Sequence, residues 1–79
     1  MGTKFTVKGK IYDISDDRIR VWPTKEGWRG MVVHADGSDG QSTALMGATN
    51  RTSARAMLIR MVVDWTQGDD ATPEELGLT

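Results

Sequence analysis

Few residues in this chain are equipped for chemistry. It has one histidine, His34, and no cysteine, so thiol nucleophiles, thiolate metal sites and disulfide staples are all ruled out. His34 sits between Val33 and Ala35 in an alternating stretch, the setting of a structural histidine rather than of a base held by an orienting partner. No Gly-x-Ser-x-Gly, Walker-type or His-Glu-x-x-His spacing occurs, which removes the common hydrolase, nucleotide-cleaving and metalloprotease arrangements. Asp13, Asp16 and Asp17, and separately Asp36 and Asp39, crowd two turns. Neither group follows the ligand order of a calcium loop. The expectation is a protein without catalytic residues, metal or cofactor.

What remains is binding chemistry. If the first two strands pair antiparallel, Lys4, Lys8, Lys10, Arg18, Arg20 and Trp22 share one sheet surface close to Tyr12. Such cations neutralise phosphates, and an indole beside them stacks a base. Against this stands the ordinary use of lysine and arginine to solvate a strand and discourage edge pairing. A second anion candidate is the start of the C-terminal helix, where Thr49 to Ser53 combine hydroxyls, unpaired N–H groups and the Arg51 guanidinium. Helix capping explains the hydroxyls there without any ligand. The candidate partner-binding set is therefore Lys8, Lys10, Arg18, Arg20, Trp22 and Arg51.

These groups must be positioned by short elements. Lys4 to Tyr12 alternates with Phe5, Val7, Gly9 and Ile11 in one series, which predicts a single half-buried strand with Gly9 as a bulge or close approach. Asp13 to Asp17 supplies a turn, and Arg18 to Trp22 a second strand ended by Pro23. Thr24 to Gly27 reads as a hairpin loop, and Trp28 to Ala35 as a third, central strand apolar on both sides. Gln41 to Met46 is a short fourth strand. Asn50 or Thr52 caps the helix, and Gly68 stops it. The fold class is α+β: an antiparallel three- to four-stranded meander followed by one C-terminal amphipathic helix packed on the sheet, a two-layer sandwich.

The helix carries the most informative pattern. Ala54, Met57, Leu58, Met61, Val62 and Trp65 follow the i, i+3, i+4, i+7 series and form one broad stripe. Ala56, Ile59 and Val63 form a second patch bordered by Arg60 and Thr66. One sheet covers one stripe, so the second predicts a further surface, most simply another copy of the chain. The expectation is a homodimer through Ala56, Ile59 and Val63.

At 79 residues the chain makes one domain near the lower limit for a self-sufficient core. Residues 1–68 form that domain, and 69–79 an acidic tail, either one short turn docked through Leu76 and Leu78 or a frayed end. The net charge of -1 hides an asymmetry, with the excess of cations in the first 35 residues and the excess of carboxylates after them. A local cationic face is thus compatible with overall acidity. No run is apolar enough to span a membrane or to read as a signal peptide, so a cytoplasmic location is expected.

Gly47-Ala-Thr-Asn-Arg51-Thr-Ser-Ala-Arg55 is similar to the loop and helix start of double-stranded-RNA-binding domains, and the strand-strand-strand-helix order resembles integrase arm-type domains. This chain departs from the former in opening with a strand and in lacking the lysine cluster. No family follows from so little. The functional expectation is a small non-catalytic interaction or regulatory domain of the accessory kind found in bacteria and phages. Nucleic-acid or nucleotide binding through the basic first hairpin and the helix start is the alternative.

Overall fold

The computed structural model describes residues 2–79. Five strands form two antiparallel sheets, and one C-terminal helix packs on them. The first sheet pairs β1 (Gly2–Val7) with β2 (Lys10–Ser15). A 3₁₀ turn at Asp16–Arg18 leads to the second sheet, in which β3 (Ile19–Thr24), β4 (Gly27–Val32) and β5 (Thr43–Leu45) lie in sequence order. Helix α1 covers Arg51–Gln67 and packs against β1, β3, β4 and β5. The α+β class expected from the sequence is the observed one, with the strands divided between two sheets.

The single strand expected over Lys4 to Tyr12 is a hairpin. Lys8 and Gly9 have φ of 50° and 80°, the left-handed pair that a two-residue turn requires if its twist is to match the strands. A turn of even length reverses the phase of the alternation. Phe5 pairs with Tyr12 and Val7 with Lys10, so residues 12 and 14 join the inward face while Ile11 turns outward and is 60% exposed. Gly9 had masked this because it falls in step with Phe5, Val7 and Ile11. Downstream, β4 ends at Val32 rather than Ala35, and the fourth strand shrinks to three residues.

Helix α1 starts in a capping box. The Asn50 side chain accepts from the Ser53 amide at 2.8 Å, and the Ser53 hydroxyl accepts from the Asn50 amide at 3.1 Å. At the other end Gly68 is the C-cap, but the left-handed residue is Asp69, with φ of 60°. The buried seam of the helix is Ala54, Leu58, Val62 and Thr66. Thr66 is tolerated there because its hydroxyl donates to the Val62 carbonyl one turn back, at 2.7 Å.

The seam runs between the two apolar patches and joins them into one wide face. Met57, Met61 and Trp65 form one shoulder, Ile59 and Val63 the other, all half-buried against the core. The second shoulder lies on the ridge Arg55, Ile59, Val63, Gln67, whose two ends both reach the first hairpin. Arg55 donates to Thr3 Oγ1 at 3.0 Å, and Gln67 Oε1 accepts from the Lys8 amide at 2.5 Å. The first hairpin therefore covers part of the patch that had implied a second copy. Ala56 alone of the three is exposed.

The tail completes the core. Leu76 and Leu78 are 2% and 4% exposed. Thr72 to Leu78 form one closed helical turn: Thr72 and Glu75 cap each other, and Leu78 N–H bonds the Pro73 carbonyl while Gly77 N–H bonds that of Glu74. The tail is fixed to the rest by Gln41 N–H to the Glu75 carbonyl and Ala35 N–H to the Thr79 carbonyl. Leu76 and Leu78 join the same buried cluster as the helix and the sheets.

Candidate binding surface

The two sheets scatter the residues expected to share one basic face. Lys8 sits at the tip of the first hairpin, with its ammonium against the Asp69 carboxylate. Lys10 lies with Nζ 4.9 Å from the centre of the Tyr12 ring, a cation–π contact. Both border a cleft of about 340 Å³ between the hairpin, the helix end and Pro73. Arg18, half-buried, and Arg51, exposed, each donate to backbone carbonyls. Arg18 Nε donates to the Val33 carbonyl at 2.8 Å and its Nη2 to that of Gly77 at 3.1 Å, tying the tail to the sheet. Arg51 Nη1 donates to the Val21 carbonyl at 3.3 Å, from the helix start to strand β3. The guanidinium expected to catch an anion there makes a backbone bond instead. Lys8 and Lys10 stay together at that cleft, and Arg20 and Trp22 stay together on β3, where Arg20 Nε donates to the Asp17 carbonyl at 3.2 Å and the side chain remains exposed.

Their surroundings follow from the register. Ile19 and Val21 are buried toward the helix, and a Cβ on Gly30 would stand 3.0 Å from Leu58 of α1. The alternate positions of the same strands consequently face away from it. On that outer face Arg20 pairs with Met31 and Trp22 with Arg29, so two guanidinium-bearing side chains alternate with a tryptophan and a methionine. Ala44 of β5 extends the row beside Arg29, and Arg29 Nη2 also donates to Ser42 Oγ at 3.2 Å. Trp22, Arg29, Met31 and Ala44 are half-buried and Arg20 is exposed. No carboxylate occupies an outward position of β3, β4 or β5. The face continues into a cleft of about 240 Å³ at the end of the β3–β4 hairpin, lined by Thr24, Arg29, Ala44 and Met46, with Glu26 the one acid on it. Met46 is 79% exposed.

Sequence reasoning missed Arg29 and Met31 because the third strand is apolar on both sides. Its pairing with β3, which the hairpin loop at 24–27 does predict, would have placed Arg29 opposite Trp22.

Elsewhere the polar groups serve loops. Asp36 accepts from the Ser38 hydroxyl at 2.6 Å and the Ser38 amide at 2.9 Å. These bonds, the hydroxyl's first, hold its carboxyl below the ordinary aspartate value. Asp16 accepts from Arg55 at 2.6 Å. Among the described residues no cluster of His, Asp or Glu has the grouping of a metal site, and no buried side-chain polar atom lacks a partner. No helix among them is long and apolar enough to cross a membrane. Comparison with protein-family models, curated proteins and solved structures found no match.

Proposed function

We propose that this chain is a small non-catalytic interaction domain and that the outer face of its three-stranded sheet is the recognition surface. The observation that carries the reading is the Arg20–Met31 and Trp22–Arg29 checkerboard on a sheet that has a helix on its other side only. Tryptophan, arginine and methionine are enriched at interface centres, because each offers a large contact area with a cation or polarisable group attached. The opposite sheet face is committed to the core through Ile19, Val21 and Val32. Pro23 and the Arg51 contact to the Val21 carbonyl guard the β3 edge, which favours recognition across the face over strand addition.

The test compares wild type with a Trp22→Ala/Arg29→Glu double variant as bait in a cell lysate. Circular dichroism first establishes that both fold alike. Wild type should retain specific material that the variant loses. Equal retention by the two overturns the reading.

Homodimerisation along the second helix shoulder is a second reading. It is supported by the surface that Ile59 and Val63 leave outside the core beside exposed Ala56. Because Ala56 is exposed, Ala56→Asp leaves the core intact. Wild type should sediment at twice the chain mass and the variant at once; a wild type already at the single mass removes the dimer.

A further inference from the structure

The outer sheet face alternates charge with flat apolar surface, and that alternation is selective. We infer that its ligand is a single-stranded nucleic acid whose phosphates meet Arg20 and Arg29 and one of whose bases stacks on Trp22. The inference rests on reading this face as the recognition surface and names its partner.

Three observations converge. The first is charge complementarity: two guanidiniums stand on diagonal positions, Arg20 opposite Met31 and Arg29 opposite Trp22, and no strand position on the face carries a carboxylate. This local sign is opposite to that of the whole chain, at -1, so composition does not account for it. The second is the placing of Trp22 between those cations on an open, three-stranded surface. An indole face offers stacking to any base, whatever its sequence, while neighbouring cations follow the backbone. The third is shape. The face runs on into the cleft of about 240 Å³ lined by Thr24, Glu26, Arg29, Ala44 and Met46, which gives an extended strand room beyond the sheet. Stacking on Trp22 needs a base free of its pairing partner, which a single strand offers and a duplex does not. An acidic polypeptide would satisfy the guanidiniums but leave the indole without a planar partner.

Binding of short fluorescein-labelled oligothymidylate and oligouridylate, followed by anisotropy across a salt series, tests this. Two neutralised phosphates give a slope of log K against log salt of about -1.4, and Arg29→Gln should reduce it to about -0.7. Trp22→Leu keeps the apolar bulk but removes the π face, and should weaken binding about tenfold, with Trp22→Phe restoring most of it. Preference for oligothymidylate or oligouridylate tells DNA from RNA, and either supports the inference. Full affinity in Trp22→Leu, or duplex bound as tightly as single strands, overturns it. No oligonucleotide binding by a chain that captures polyglutamate through Arg29 also overturns it while leaving the surface itself in place. Failure of both probes together with equal lysate retention by the Trp22→Ala/Arg29→Glu variant removes the surface as well.

Discussion

Gly77→Ala should cost about 4 kcal/mol or more, a third or more of the stability of a domain this size. Gly77 has φ of +83°, and a Cβ there would lie 2.0 Å from the Val32 carbonyl oxygen and 2.8 Å from its carbon. The left-handed backbone alone costs alanine about 1 kcal/mol; the collision with backbone is the larger part, because neither strand β4 nor the closed turn around Gly77 can retreat. Gly40 approaches the same carbonyl, donating its N–H at 3.1 Å. The Val32 oxygen is thus held between two glycines. Gly37 is the control. Its φ is +91° but nothing lies within 4 Å of its Cβ position, so Gly37→Ala should cost only about 1 kcal/mol. Urea unfolding followed by tryptophan fluorescence separates the two; similar midpoints for both variants would contradict the close approach.

Ending the chain after Glu75 should be at least as severe. It removes Leu76 and Leu78, two of the buried apolar residues, at about 2 kcal/mol each. It also deletes the carbonyls that receive the Arg18 guanidinium and the Ala35 amide, each a hydrogen bond of about 1 kcal/mol or more. A domain of 79 residues has about 4–12 kcal/mol of stability in all, so the shortened chain should show little native fluorescence or amide-exchange protection. An unchanged urea midpoint would mean that the last turn is an ornament on a core already complete at Gln67.

Much of this was readable beforehand, for reasons particular residues make plain. The Thr72-Pro-Glu-Glu-Leu-Gly77 turn announces itself, because cap, proline and glycine each act through the local backbone. So does the helix from Asn50 to Gly68. Parity was harder. Along 4–12, a glycine in phase with the apolar series hid a turn that a Lys-Gly pair signals weakly, and the one-step reversal sent Ile11 outward. The same misreading placed Lys8 and Lys10 beside Arg20, when a sheet boundary separates them. The two helix patches were correctly seen as apolar but not as shoulders of one seam. Thr66 lies between them, and only its bond to Val62 makes it a core residue. Arg18 and Arg51 each reach a backbone carbonyl, which side-chain type does not disclose.

The location of Leu76 and Leu78 has a consequence for biogenesis. The hairpins and the helix can take shape as they emerge from the ribosome, but the surface they share stays greasy until the turn at 72–78 follows them out. A chain released before residue 78 therefore keeps an unsealed interior, and chaperones and proteases should recognise it as unfinished.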